Sequence, residues 1–413
     1  MQTNLADFIK DSAAGQEAQS ILRKCVHCGF CLATCPTYQV LGDELDSPRG
    51  RIYLIKQMLE GAEVTAKTRL HLDRCLTCRS CETTCPSGVE YGALLDIGRE
   101  VAAQRIQEPR PSTERVVRWL LKEGTVSSAF KPAVQLAHRM RDWLPDSIQA
   151  KVPNPAKRGA WPARTNSRRM VVLAGCAQSA VAPDINAAAA RVLDRVGISL
   201  TEVGTGDCCG ALPFHLEDAA AARRDARRII DICLQHLTQG AEAMVMTASG
   251  CGVFVRDYAH LLAEDPEYGE KARQVVAKVL DLSEVLHLER VPLAAHGKAD
   301  GSRGKLAFHS PCTLQHGQKI RGLIEELLTA AGYQLTPVAD GHLCCGSAGP
   351  YALLQPELAD ELRQRKLATL NAGNPQVVAT ANIGCLMHLQ GAAKLPVRHW
   401  IECMDAVLAA NPS

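Results

Sequence analysis

Cys25-Val26-His27-Cys28-Gly29-Phe30-Cys31-Leu32-Ala33-Thr34-Cys35-Pro36 is the stretch that decides how the chain is read. Its spacing, C-x2-C-x2-C-x3-C-P, is the bacterial iron–sulfur run. The same spacing returns at Cys75, Cys78, Cys81 and Cys85, followed by Pro86. Three cysteines two residues apart can wrap one corner of a cubane, while the fourth, three residues on, points away. In two-cluster ferredoxins that fourth cysteine ligates the other cluster. The pattern therefore predicts two 4Fe-4S clusters with crossed ligation. One takes Cys25, Cys28, Cys31 and Cys85; the other takes Cys35, Cys75, Cys78 and Cys81. A pair of zinc sites is the alternative, since zinc also accepts C-x2-C. Zinc sites rarely use a third cysteine in the same run with a trailing Cys-Pro.

The 413 residues suffice for two or three domains. Aromatic residues make up only 4%, which argues against nucleic-acid binding by stacking. Lys and Arg (46) nearly balance Asp and Glu (44), so the surface as a whole attracts neither DNA nor anionic lipid. The 18 cysteines fall in spaced sets, and the chain is too long for a small disulfide scaffold. Met1 to Ser12 contains Asp7, Lys10 and Asp11 and does not read as a signal peptide. No apolar run approaches the roughly 18 to 20 residues that span a bilayer. Leu367 to Ala393 lacks Asp, Glu, Lys and Arg but is broken by Asn371, Gly373, Asn374, Pro375, Gln376 and Asn382. A reducing cytoplasm is the expected location.

Residues 13 to 24 read as a helix that delivers Cys25. Ser47 is the expected N-cap, and Pro48 the first residue, of a helix carrying Ile52 to Leu59. A helix over about Val64 to Arg74 delivers the second run. The runs therefore sit on loops after helices, a helical ferredoxin arrangement. Arg49, Arg51, Arg74 and Arg79 lie near the expected clusters. Arginines beside an anionic cluster raise its reduction potential; solvated surface charge is the alternative reading. Tyr91 to about Leu144 is helical in pattern. Residues 151 to 169, with Pro153, Pro155 and Pro162, read as a linker whose six Lys or Arg (Lys151, Lys157, Arg158, Arg164, Arg168 and Arg169) are a solvated connection, contact with an acidic partner or a membrane surface being the alternative.

From Met170 strands alternate with helices. Met170 to Ala174 ends at Cys176, Ile198 to Val203 leads to Cys208-Cys209-Gly210, and Ala243 to Thr247 ends near Cys251. Leu306 to His309 ends at Cys312, Tyr333 to Val338 leads to Cys344-Cys345-Gly346, and Val377 to Thr380 leads to Cys385. Cys176 to Cys208 and Cys312 to Cys344 are both separated by 32 positions, which marks an internal duplication. The cysteines follow strands, where open α/β sheets gather ligands. Each quartet is read as a further iron–sulfur centre, a zinc site, a redox dithiol or a relic of one of these. His309 and His342 are candidate ligands or proton relays beside the second quartet. Cys233 and Cys403 fall outside the pattern, and Cys233 shares an apolar face with Ile229, Ile230 and Leu237.

No G-x-G-x-x-G, no G-x-x-x-x-G-K-[ST] and no G-x-S-x-G occurs. The chain can pass single electrons but shows no site for taking a hydride from an organic substrate. By elimination it is an electron-transfer subunit whose substrate is held by a separate flavoprotein.

Cys25 to Tyr38, Asp46-Ser47-Pro48-Arg49-Gly50-Arg51-Ile52, Cys75-Leu76-Thr77-Cys78, Ser310 to His316, Leu343 to Gly349 and Ala381 to Cys385 resemble the iron–sulfur subunits of bacterial glycolate oxidase. The Cys-Cys-Gly halves are shared with heterodisulfide reductase, anaerobic glycerol-3-phosphate dehydrogenase and lactate-utilisation subunits. The resemblance implies a complex with two FAD-type flavoprotein subunits, FAD residing only on those partners. They oxidise glycolate to glyoxylate, and D-lactate less well, with electrons leaving to a membrane quinone. It also implies a peripheral position on the inner face of the cell membrane. Unlike the heterodisulfide-reductase motif, which ends in C-x2-C, Cys251 is followed by Gly252-Val253-Phe254 and Cys385 by Leu386-Met387-His388. Each unit thus lacks a fifth thiolate. The expected fold class is α+β and α/β multidomain: an all-α ferredoxin-like domain at 1–107, a helical segment and basic linker at 108–169, and α/β units at 170–300 and 301–413. Catalytic disulfide reduction at the Cys-Cys-Gly sites, and a binding module with purely structural clusters, are the competing functions.

Overall fold

The computed structural model describes residues 1–125, 127, 129–140, 143, 158–163, 165–289 and 301–409. They fall into two compact units, Met1–Val117 with His342–Lys366, and Arg118–Gly341 with Leu367–Ser413.

In the first unit, α1 (Ala13–Lys24) starts where the Ser12 hydroxyl accepts the Gly15 N–H at 3.0 Å and ends with Arg23 and Lys24, which complement its dipole. α2 (Pro36–Leu41) follows Cys35 directly. α3 (Pro48–Leu59) has the expected cap: Ser47 Oγ accepts the Gly50 N–H at 2.9 Å, and Pro48 needs no partner at the first position. Gly50 permits a close approach, because a Cβ there would stand 1.9 Å from the Glu44 carbonyl oxygen. α4 (Ala66–Asp73), α5 (Ser80–Thr84) and α6 (Tyr91–Arg105) complete the cradle. Ile21, Leu22, Ile55, Leu59, Leu94 and Leu95 fill one core, each buried side chain contributing about 1.5–3 kcal/mol. The helical stretch expected from Tyr91 to about Leu144 is α6, α7 (Ser112–Gly124) and α8 (Phe130–Arg139), of which α7 from Arg118 on and α8 belong to the second unit; Pro109 and Pro111 separate α6 from α7, and residues 126, 128, 141, 142 and 144 lie outside the described residues.

The second unit holds two four-stranded parallel sheets. The first contains β1 (Arg168–Leu173), β2 (Ile198–Val203), β3 (Met244–Met246) and β4 (Val279–Asp281) in the order β2-β1-β3-β4. Parallel strands need long crossovers; α9 (Asp184–Asp194), α10 (Ala219–Thr238) and α11 (Ser249–Arg256) lie in the connections. The second contains β5 (Lys305–His309), β6 (Gln334–Leu335), β7 (Val377–Thr380) and β8 (Val397–His399) in the order β6-β5-β7-β8. The sequence patterns mark three strands per repeat; they miss β4 and β8, each of which runs directly into a helix, Leu282–Leu288 and Trp400–Ala409, with no turn signal between. β1 also begins at Arg168, inside the stretch read as linker, and Arg168 bridges Glu242 and Glu289 at 2.8 and 2.7 Å. Residues 151–157 and 164 of that stretch lie outside the described residues. Met170 and Val172 face one core while Val171 and Leu173 face another, as the period of a strand buried on both sides requires. Strand order reverses between β1 and β3, and again between β5 and β7. These are the switch points at which open α/β sheets form crevices.

Candidate metal centres

Both ferredoxin-type runs are bent by the same backbone device. His27 (φ 56°) and Gly29 (φ 85°) follow Cys25, and Thr77 (φ 51°) and Arg79 (φ 57°) follow Cys75, all left-handed. Alternating right- and left-handed residues turn successive N–H groups toward one concavity and build an anion nest. Cys25, Cys28, Cys31 and Cys85 line one cavity, with Cys81 also on its wall. Cys35, Cys75, Cys78 and Cys81 line a second. Each run thus sends its fourth cysteine to the cavity lined by the other.

The sulfurs crowd one another. Burial, then the neighbouring Cys25 sulfur, pushes the Cys31 thiol up to about 11. Cys25 is raised by burial and by Cys85, and Cys81 by burial, Cys78 and Cys75. Thiols in this condition ionise together only around a cationic core. The donor set, the nests and the cavities fit a 4Fe-4S group in each place.

The second cavity has a polar wall whose arginines the sequence announced but whose burial it did not. Arg51 is 1% exposed, so its side chain is not the solvated charge that a helical arginine usually is. Its Nη1 donates to Thr37 Oγ1 at 3.2 Å, its Nη2 to Asp46 Oδ1 at 3.1 Å and its Nε to the His71 carbonyl at 2.7 Å. Thr37 Oγ1 stands 3.3 Å from Cys35 Sγ. Arg74 Nη1 donates to Asp46 Oδ2 at 2.9 Å. Two guanidinium groups thus surround one fully buried carboxylate, an excess of one positive charge. Tyr91, also buried, donates to Cys75 Sγ at 3.6 Å. By contrast Arg49, beside the first cavity, pairs with Glu44 at 2.7 Å and is 32% exposed. Arg79 also lines the second cavity.

In the first repeat Cys176 follows β1, Cys208 and Cys209 follow β2, and Cys251 opens α11 after β3. Their thiols are joined in series: Cys176 to Cys208, Cys208 to Cys209, and Cys209 to Cys251. Hydrogen bonds from Cys176 and Cys209, then from the Gly210 and Leu212 N–H groups, hold Cys208 far below the ordinary thiol range. The bond to Cys208 raises Cys176 and Cys209. The Gly210 N–H lies 3.3 Å from Cys208 Sγ, and Gly210 is left-handed (φ 90°). Tyr258 donates to the Cys209 carbonyl at 2.6 Å. Asp225 is pushed up to about 6 by burial and by Cys208.

The second repeat reproduces the motif geometry. Gly346 (φ 91°) donates to Cys344 Sγ at 3.4 Å, and Cys344 and Cys345 are buried within the first unit. In the second unit Cys312 is buried after β5, and a ring nitrogen of His309 lies within 4.8 Å of Cys385 Sγ. Asn382 Nδ2 also reaches Cys385 Sγ at 3.5 Å. His342 is half-buried in the first unit. Cys233 is core, as its apolar face implies, and Cys403 packs in the other core. Sequence reasoning missed Thr37, Asp46, Tyr91, Tyr258 and Asp225. Thr37, two residues beyond Cys35, carried a positional signal; the others are brought in by folding alone.

A protein built this way is an iron–sulfur electron carrier. Residues 21–89 match the 4Fe-4S dicluster domain family, and residues 170–256 and 306–390 match the cysteine-rich domain family. Over 411 residues the chain is 51% identical to the glycolate oxidase iron-sulfur subunit of Escherichia coli (strain K12), covering 99% of each. Lactate utilization protein A of Bacillus velezensis is 26% identical over 216 residues, 50% of this chain and 84% of that one. The chain belongs to the family of glycolate oxidase iron–sulfur subunits.

Proposed function

We propose that this chain is the electron-transfer subunit of a glycolate-oxidising complex. Two FAD-type flavoprotein subunits oxidise glycolate to glyoxylate, and D-lactate less well. The chain accepts their electrons and passes them to a membrane quinone, from a peripheral position on the inner face of the membrane. A bound 4Fe-4S cluster supplies one-electron storage. Cys25, Cys28, Cys31 and Cys85 hold one cluster, and Cys35, Cys75, Cys78 and Cys81 the other. The observation that carries this reading is the pair of cysteine-lined cavities, each lined from both runs. The full-length likeness to a glycolate oxidase iron-sulfur subunit supports the substrate.

The chain's own residues turn the thiols inward, exclude water and set the local charge. Cys176, Cys208, Cys209 and Cys251, and Cys312, Cys344, Cys345 and Cys385, form further metal or redox sites. Burial of Cys208 and Cys209 to 3% each favours a held group over exchange with a substrate disulfide. Among the described residues no helix is long and apolar enough to cross a membrane.

The test is anaerobic purification with iron and sulfide assays, followed by mixing with the flavoproteins, glycolate and a dye. About eight irons are expected from the two ferredoxin-type sites, with turnover only when flavoprotein is present. Glycolate oxidation by the isolated chain, or zinc at the eight ferredoxin-type cysteines, would refute the reading.

A further inference from the structure

α7 and α8 carry their apolar side chains on the wrong side for helices in water. On α7, Arg118 and Lys122 are turned toward Glu217 and Asp218, at 3.7 and 2.7 Å. Val116 and Leu120, on the other side, are 56% and 53% exposed, and Trp119 between the two faces is 60% exposed. On α8, Val134 packs against the core, while Leu136 is 56% and Met140, one turn on, 46% exposed. Trp143, a further three residues on, is 87% exposed. Leu136 and Met140, four residues apart, share one side, and the Trp143 N–H donates to the Met140 carbonyl at 2.9 Å just past the end of α8. Lys131 and Arg139, on the same helix, are exposed.

The same stretch is basic: residues 112 to 143 hold six Lys and Arg against three Asp and Glu, a net +3, whereas the whole chain carries only +2. Two of the four tryptophans also lie in it. Outward Leu, Met and Trp on a stretch that also carries exposed Lys and Arg is the pattern of a helix lying in a bilayer interface. Tryptophan prefers the headgroup level, and basic residues are drawn to anionic lipid.

We propose that the outer faces of α7 and α8 dock this chain on an anionic lipid bilayer. The inference rests on the reading of the chain as a peripheral membrane subunit and assigns the surface that makes it one. The apolar side chains enter the interface while Lys131 and Arg139 stay with the headgroups.

The test is flotation of the iron-loaded full chain with phosphatidylcholine vesicles, with and without phosphatidylglycerol. The chain is expected to float with the phosphatidylglycerol vesicles, less so at high salt, and to stay in solution with phosphatidylcholine alone. Lys131→Gln and Arg139→Gln are each expected to lower partition about fivefold. The double substitution Leu136→Glu, Trp143→Glu is expected to abolish it with iron content and visible spectrum unchanged. Equal flotation on both vesicles, or flotation of the double variant like the parent, would overturn the proposal. So would a parent chain that stays in solution while the double variant loses only its assembly with the flavoproteins; the face would then belong to a protein partner. Unchanged reduction of a water-soluble quinone by the assembled complex in that case would leave the electron-transfer reading standing.

Discussion

Removing the charge of Arg51 is expected to lower the potential of one cluster and spare the other. The guanidinium is linked to Thr37 at 3.2 Å and Thr37 to Cys35 Sγ at 3.3 Å, so it lies within about 6.5 Å of a ligand sulfur. Taking about 8 Å to the cluster centre and an effective dielectric of about 20, one unit charge acts on one electron with roughly 2 kcal/mol. For a one-electron couple that is roughly 90 mV. Asp46 and Arg74 remain in Arg51→Met, so the net local charge falls from +1 to zero and the whole unit is lost. The assay is a redox titration followed by electron paramagnetic resonance, which resolves two reduced clusters. The cluster on Cys35, Cys75, Cys78 and Cys81 should become harder to reduce, and the other should move far less. Arg51→Lys, which keeps the charge but loses the fork, should recover most of the shift. Thr37→Val, which removes the hydroxyl beside Cys35 and leaves the charge, should give a smaller shift in the same direction. Equal shifts in both clusters, or no shift with iron retained, would refute the electrostatic reasoning.

Crossed ligation predicts that Cys85→Ala disrupts the cluster of the first run and Cys35→Ala that of the second, as read from the loss of one resonance signal each. Gly210→Ala is expected to destabilise the second unit by at least about 1–3 kcal/mol from its left-handed backbone. The new Cβ would in addition stand 2.8 Å from the Ala222 carbonyl. Gly206→Ala, with φ 85° but nothing within 4 Å, carries only the backbone strain, so a thermal shift as large as that of Gly210→Ala would contradict the packing argument. Burial pushes His399 down to about 4, while its Nε2 stands 2.9 Å from the Thr247 carbonyl. The unfolded histidine takes its proton near pH 6.5, so its stabilisation is complete above that pH and drains away between about 6.5 and 4 as acid is added. The full loss is about 3 kcal/mol, and urea unfolding of His399→Gln should show a shallower pH slope over that window. Cys208→Ser and Cys344→Ser report, through iron and sulfide per chain, whether the strand-end quartets hold metal; unchanged content in both would leave them as thiol sites.

Much of the architecture was legible because it is local. The two runs disclose their chemistry in spacing alone, and Ser47-Pro48 marks a helix start whose cap needs only neighbours in the chain. The equal separations Cys176 to Cys208 and Cys312 to Cys344 exposed the duplication without any contact being known. β4 and β8 were not legible, since each passes straight into a helix and merges with its pattern, and their place at the sheet edge comes from parallel pairing with β3 and β7. Nor was the partition into units, in which His342–Lys366 joins Met1–Val117 across more than two hundred residues.

By itself the sequence determined which atoms are available to metal and in what order, because ligand spacing is a property of a short backbone. Only the tertiary structure decided what surrounds those atoms. Arg51 reads as one more helical cation until its guanidinium is found enclosed between Thr37, Asp46 and the His71 carbonyl. Leu120 reads only as part of a helical pattern until Arg118 and Lys122 are found turned toward Glu217 and Asp218. Burial and Coulomb energy depend on distances between residues far apart in the chain, and those distances exist only after folding.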